Sequence, residues 1–594
     1  MSVVMKDSEI AKEAGAQHGP TADPDLVVRE NRIEDDEKLE KSQSNTNSNS
    51  NSNSETASTY SYRERIDVPE HGSSRAISRI VSEVRDGIES RRDLDLEQAQ
   101  PEDKTPIAND PNLVTWSGPD DPENPKNWAF SKKWGVVFIV SIFTFVSPVS
   151  SSMVAPGLTA IGKELDIPEA FMQNIVLSIF VLAYALGPLA WGPLSEIYGR
   201  VPILQFTNLG FLAFTMGCGF AKTRGQLIAF RFLSGLGGSA SLAIGGGVLG
   251  DLFIAEQRGR AMSIYSLAPL LGPAVGPIAG AFITQTTTWR WAFWATSAAD
   301  AAIQIAGLLW LRETYAPVLL DRKRQLIAKE SGIPATSLRT PFDGPEKTKP
   351  AHASNSKSKS VWSLLGTAMT RPFRLLATQV IVQCIALYMM YVYGLMYLML
   401  ASFPTLFTSP PPSGYGMSVG IGGLNYISLG LGFFLGAQVC APLQDRIYAY
   451  LKRRYGHGQP EYRVPMMVPG AVLIPVGLLI YGWTAEYKTH WIGPNIGAVL
   501  FAMGAIICFQ CLQGFLVDSY QRFAASAVGA ATVLRSLAGF GFPLFAPSMY
   551  DRLGYGWGNT LMALLGVAIG WPGPFLLWKY GERLRKRSPF AAGD

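Results

Sequence analysis

AMSIYSLAPLLGPAVGPIAGAF, residues 262–283, is an unbroken apolar run in which Pro269, Pro273 and Pro277 fall four apart and Gly272, Gly276 and Gly280 keep the same step. In water, three such prolines would end a helix. In a bilayer, neighbouring helices satisfy the freed carbonyls, so the pattern reads as a bent spanning helix. Glycines at this spacing share roughly one face and let a second helix approach closely. Packing alone would account for that face, so its role depends on the rest of the chain.

Working outward, apolar runs of about 20 residues, the length that crosses a bilayer, lie near 134–156, 173–195, 201–220, 226–248, 262–283 and 291–311. Six more lie near 378–402, 420–443, 464–483, 491–515, 526–548 and 557–578. The predicted fold is therefore an all-α membrane protein of 12 transmembrane helices in two six-helix pseudo-repeats, 126–311 and 378–578. A hydrophilic connector, 312–377, joins them, and 579–594 form a short C-terminal tail. With 48% hydrophobic and only 16% charged residues, the chain is too apolar for an ordinary soluble protein. Residues 1–125 are the exception: polar, acid-rich and carrying the run SQSNTNSNSNSNS, they read as a disordered tail. Within it, AISRIVSEVRDGIESRR at 76–92 has near-helical apolar spacing. No cleavable signal peptide is apparent, so insertion would use the first span. Cys218, Cys384, Cys440, Cys508 and Cys511 all fall in apolar segments and imply no disulfide framework or metal site.

Lys and Arg cluster on one side of the spans, at Lys132, Lys133, Arg200, the connector, Arg446, Arg463 and the C-terminal RLRKR. That bias predicts cytoplasmic termini, and it assigns the net charge of +5 to contact with anionic lipid rather than nucleic acid. The second span ends GPLAWGPLSEIYGR and the eighth ends GAQVCAPLQDRIY, with Gly187 preceding Glu196 by the same nine residues as Gly436 precedes Asp445. Parallel repeats of this kind are a transporter signature.

These residues carry a resemblance to the major facilitator superfamily, in its fungal drug:proton antiporter branch with 12 spans, running from about Trp116 to Arg587. GPLSEIYGR (192–200) resembles the superfamily's motif between helices two and three, usually Gly-x-Leu-Ala-Asp-x-x-Gly-Arg, with Glu196 in place of Asp. The resemblance implies a gating rim on the cytoplasmic side made by Gly192, Glu196, Gly199, Arg200, Asp251, Asp445, Arg446 and Asp518, latching the halves together. FRFLSGLGGSA (230–240) resembles the fourth-helix motif, whose arginine would be Arg231. LLGPAVGPIAG (270–280), with Gly272, Pro273, Gly276, Pro277 and Gly280, resembles the Gly-Pro motif of proton-driven exporters. WRWAFW, RETYAPVLL and WSGPDDPENPKNW also look like this branch.

Asp300 is the acid nearest the centre of any span, and so, with Arg231, a candidate for proton coupling. Because the sixth helix of this fold is peripheral, a buried hydrogen bond between helices is the other reading of Asp300. Tyr388, Tyr391, Tyr393, Met396 and Tyr397 on the seventh span form an adaptable wall suited to apolar or cationic ligands, and Asn425, Gln510, Gln513 and Arg535 add polar groups to a central cavity. GLTAIGKE lacks the Ser/Thr of a phosphate-binding loop, and GGGVLG lies inside a span, so no ATP site is expected. The resulting expectation is a monomeric, plasma-membrane, multi-pass exporter that is not an enzyme. It would use no cofactor, bind a small-molecule substrate and exchange hydrophobic or cationic compounds for protons. A polyamine-type or other proton-coupled carrier, and a non-transporting sensor, stay open on the same fold.

Overall fold

The computed structural model describes residues 112–118, 120–253, 255–335, 337–343, 361–520 and 524–588; the amphipathic stretch 76–92 lies outside them. Six long helices come first: α1 (Phe130–Ser152), α2 (Ala170–Tyr198), α3 (Arg200–Phe220), α4 (Arg224–Leu252), α5 (Ala255–Thr286) and α6 (Trp289–Trp310). After two connector helices, Ala316–Ser331 and Val361–Thr378, come α7 (Val380–Thr408), α8 (Tyr426–Tyr455), α9 (Met467–Glu486) and α10 (Ile492–Ser519). The run Ala524–Gly570 breaks at Gly554, which adopts φ 71°, giving α11 (524–553) and α12 (555–570), with Pro572–Lys586 following. Among the described residues ten helical segments are long and apolar enough to cross a membrane; one of them, Ser526–Lys586, contains both α11 and α12, and α5 is not among the ten.

Packing repeats when six is added to each helix number. α1 lies on α5 and α7 on α11; α2 on α4 and α8 on α10; α3 on α4 and α9 on α10. α3 packs on α6, and α9 on α12 through Trp483, whose indole stacks edge-on against Trp557 and donates to Thr560. The two sets meet along α2 with α11 and α5 with α8. The internal repeat read from two short motifs thus extends to the pairing of whole helices. Short loops make successive helices antiparallel, which leaves the start of α1 and the end of α12 on one side, called here the terminal side.

Residues 112–125, assigned to the tail by composition, are instead tied to the connector. The backbone of Val114 donates to the Arg339 carbonyl at 2.7 Å, and Arg339 donates back to Asn112 at 2.7 Å. Asp121 organises the turn by accepting from the Ser117 and Glu123 amides at 2.7 and 2.8 Å, and it pairs with Lys323 at 3.4 Å. A polar segment with few apolar residues is ordered here by backbone hydrogen bonds and by the pairing of Lys323 with Asp121 and Glu123, which composition does not report. The Ser117 amide, then the Glu123 amide, with Lys323, hold the Asp121 carboxyl below its ordinary value of 3.8. A depressed acid contributes fully at neutral pH, and its contribution is lost as pH falls through that lowered value. Asp121→Ala is therefore expected to speed limited proteolysis near residue 340 at pH 7, with the difference from wild type shrinking as pH falls below 3.8.

Candidate functional site

The terminal-side rim is built at the α2–α3 corner. Gly199 has φ 104°, a conformation that favours glycine, and this sharp turn aims Arg200 back under α4. The Arg200 guanidinium donates to Asp251 at 3.4 Å and to Ser195 Oγ at 2.8 Å, pairs with Glu196 at 3.7 Å and stacks 4.7 Å from the Tyr315 ring. Glu313, just past α6, accepts from the Arg200 and Val201 amides at 3.0 and 3.2 Å, capping α3. All these partners belong to the first six-helix set or to the first residues of the connector after it, so among the described residues the rim binds α2, α3, α4 and the chain just past α6 together and does not latch one half to the other. Gly192 has open space where a Cβ would stand, and no close approach requires it.

The second set repeats the device with other residues than expected. Asp445 and Arg446 are exposed. The counterpart of Arg200–Asp251 is Arg463–Asp518, at 2.5 Å, between the segment before α9 and the end of α10. Where Glu313 reaches the start of α3, Arg585 reaches Glu461 at 3.6 Å, before α9. Glu313 and Arg463 were visible in the sequence as charges immediately flanking spans. The alignment of Glu196 with Asp445 missed Arg463 because it sits after a longer loop.

Of the two embedded charges in the first half, neither points at the other half. Arg231 is 1% exposed and spends four of its five donors on backbone carbonyls: Ser150 at 2.9 Å, Ser151 at 2.9 Å, Val176 at 3.1 Å and Leu177 at 3.2 Å. No carboxylate joins it among the described residues, so its geometry caps helices and provides no acid for a proton relay. Asp300, also 1% exposed, accepts at 3.1 Å on both oxygens from Asn208 of α3, whose amide is shared with Gln304 at 2.8 Å. This places Asp300 in the outer α3–α6 seam, the second of the two readings. Asn208 was not singled out from sequence, since a lone Asn in a span gives no hint of its partner. Asp300→Asn keeps the contact to Asn208, so gradient-driven flux is expected to stay within about twofold. Asn208→Leu strands a buried carboxyl and should lower thermal stability by roughly 1–3 kcal/mol. Folded Asp300→Asn protein without gradient-driven flux would return Asp300 to the coupling role.

Besides Gln285 of α5, the polar groups that cluster where the halves meet lie on α1, α2, α7, α10 and α11. Ser147 and Tyr184 share a 2.5 Å hydrogen bond, and Ser151 reaches across to Tyr397 at 3.0 Å. Tyr397 packs against Tyr393, ring centroids 5.2 Å apart, and Tyr393 in turn abuts Gly539 beside Val181 of α2. Arg535 lies between two rings, 5.2 Å from Tyr393 and 5.1 Å from Phe509 of α10. Its Nε is shielded from solvent and has no hydrogen-bond partner. Gln513 follows Phe509 by one turn and is exposed, with Gln510 half-buried beside it. Met396 is part-buried against the second-half core.

Three expected cavity residues do not belong to this cluster between the halves. Tyr388 is buried on Cys508 at 3.3 Å, and Tyr391 donates to the Met562 carbonyl at 2.6 Å, so both pack the second half. Asn425 bonds Gly422 and Asn495 at the far end of α8. Helical periodicity shows that a helix has two faces, and it does not say which one the other half will meet. A cationic cargo calls for a carboxylate, whereas the charged side chain among these groups is the Arg535 guanidinium.

α5 touches both halves through different faces. Gly272, Gly276 and Gly280 all lie on α1 and the residue after it, around Pro148, Val149 and Met153, so this face packs within the first half and is not the seam between the halves. The opposite face supplies that seam: Ala274 meets Gly430, Ala281 meets Gly423, and Gln285 accepts from the Gly420 amide at 2.5 Å. These contacts and Ser151–Tyr397 lie away from the terminal side.

The sequence profile of the Major Facilitator Superfamily matches residues 140–543. The chain is 50% identical over 485 residues to the efflux pump vrtL of Penicillium aethiopicum, covering 82% of this chain and 92% of that protein. It is 44% identical over 483 residues to the efflux pump radE of Floropilus chiversii, covering 81% and 86%. Among solved structures, the partially occluded inward-open xylose transporter XylE of E. coli aligns with a TM-score of 0.55 over 76% of this chain and 98% of that one, at 12% identity, a likeness of fold alone.

Proposed function

Because the chain belongs to the Major Facilitator Superfamily, we propose that it is a fungal-type exporter of the drug:proton antiporter branch, with twelve spans, cytoplasmic termini and a plasma-membrane location. Small hydrophobic compounds enter the cleft from the terminal side and leave on the other as the two six-helix sets rock, and inward proton movement drives the cycle. The observation that carries the reading is the double packing of α5, glycine face on α1 and small-residue face on α8, which makes the exporter-type helix a lever between one half and the other. Similarity to two efflux pumps over most of their length supports the outward direction. The contacts between halves away from the terminal side, with a rim whose described partners lie in its own half and the start of the connector, support a cleft that is open toward the cytoplasm.

Inward movement of one proton across 100 mV yields about 2.3 kcal/mol, enough to sustain a substantial substrate gradient. Purified protein reconstituted into liposomes, with the terminal side outward, should accumulate substrate faster when the lumen is acidified. Flux that ignores an imposed pH gradient would remove the antiport mechanism, and flux only in the opposite direction would make the protein an importer.

A further inference from the structure

We propose that Arg535 is a substrate anchor and that the cargo carries an anionic oxygen, a carboxylate or acidic phenol, on an aromatic frame. The proposal rests on the transport reading and specifies the ligand of the same cleft.

A guanidinium in a membrane protein normally finds acceptors. Arg231 has four carbonyls, Arg200 has Asp251 and Ser195, and Arg463 has Asp518. Arg535 has none of these: Nε is closed to solvent and unpaired, and no carboxylate reaches the group among the described residues. Two aromatic faces, Tyr393 and Phe509, hold the cation in place at 5.2 and 5.1 Å. Ring contacts offset part of the cost of taking this charge from water and leave the donor edge unused. A planar fork of donors fits a planar carboxylate bidentately, which a rotating ammonium does not. The flanking rings then offer faces on which an aromatic frame stacks.

Position agrees with this chemistry. α11 is one of the helices through which the two halves meet, and Gly539, one turn from Arg535, abuts both Tyr393 and Val181. A ligand on Arg535 therefore lies where rocking changes the surroundings. The energetics agree too: an anion leaving a negatively charged interior runs with the membrane potential, as an entering proton does. A carboxylate in the cleft would repel this cargo, and none is found among the described residues.

The test uses three probes on one ring system, 1-naphthoate, 1-naphthamide and 1-naphthylmethylammonium, measured as flux in proteoliposomes and as thermal stabilisation of the detergent-solubilised full chain. Wild type should bind and move naphthoate in preference to the ammonium. Arg535→Gln should lose about tenfold or more for naphthoate with the amide changed less than twofold, and Arg535→Lys, which keeps charge without the fork, should fall between. Equal losses on all three probes, preference of wild type for the ammonium, or no response to naphthoate in either measurement would overturn the proposal. The wild-type comparison holds even if Arg535→Gln does not fold. Naphthoate that stabilises through Arg535 without being moved would leave the anchor standing and count against export.

Discussion

Arg231→Met is expected to leave little folded protein in the membrane, and the reason lies in how α1 ends. The last carbonyls of a helix have no partner within it, and inside a bilayer no water replaces that partner. α1 stops at Ser152 within the protein, and the carbonyls of Ser150 and Ser151 are satisfied by Arg231 at 2.9 Å each. The same guanidinium donates to Val176 and Leu177 of α2 and lies 4.7 Å from the Phe180 ring, so one side chain joins α4 to two neighbours. Its charge also suits the negative end of the α1 dipole. Methionine fills similar volume but donates nothing. Two orphaned carbonyls at roughly 1–3 kcal/mol each give a loss of about 2–6 kcal/mol, comparable with the whole stability of many domains. Size-exclusion profiles and thermal unfolding in detergent read this directly. Arg231→Lys keeps the charge with fewer, differently aimed donors, and should give less folded protein but near-normal flux per folded molecule. A stable Arg231→Met protein that had lost only transport would show instead that the arginine acts on substrate or proton.

The contrast between Arg231 and Arg535 shows what could and could not be read from the chain. Both are arginines inside apolar runs, and the sequence marks both as costly and therefore purposeful. Whether the purpose is architectural depends on carbonyls about 80 and 55 residues away in sequence, which no spacing rule connects to position 231. The rough limits of the apolar runs were legible, because bilayer thickness fixes a length that composition reports directly. The pairing of halves was legible in outline from GPLSEIYGR and its eighth-span counterpart. Ionic partners were legible only where charge flanks a span on the same side, as with Arg200 and Asp251. Asn208 with Asp300, and Ser147 with Tyr184, pair polar side chains across helices, and neither Asn208 nor Ser147 differs in sequence context from any polar residue in a span.

Gly276→Val is expected to abolish transport while much of the protein still folds, because the clash falls on one helix contact and its consequence on another. A Cβ on Gly276 would stand 2.5 Å from Ser152 Oγ and 2.5 Å from the Val149 carbonyl. Neither can retreat freely: the Val149 carbonyl holds the Met153 amide at 2.9 Å, and Ser152 bonds back to Pro148 at 3.1 Å. α5 must therefore move away from α1, by about an ångström or more to restore van der Waals spacing, at a cost of roughly 1–3 kcal/mol for overpacking. On its other face, Ala274 and Ala281 already touch Gly430 and Gly423 of the second half. A shift away from α1 presses these contacts, so the strain reaches the interface that must open and close in each cycle. Alanine at 276 carries the same Cβ and should lose at least about tenfold in flux, with valine losing more. Gly210→Ala, where nothing lies within 4 Å, should be silent beyond a small gain in helix propensity. Flux divided by folded protein, measured for the three variants side by side, separates the outcomes. Normal flux in Gly276→Ala would show that α5 yields at this contact and that the glycine face serves packing alone.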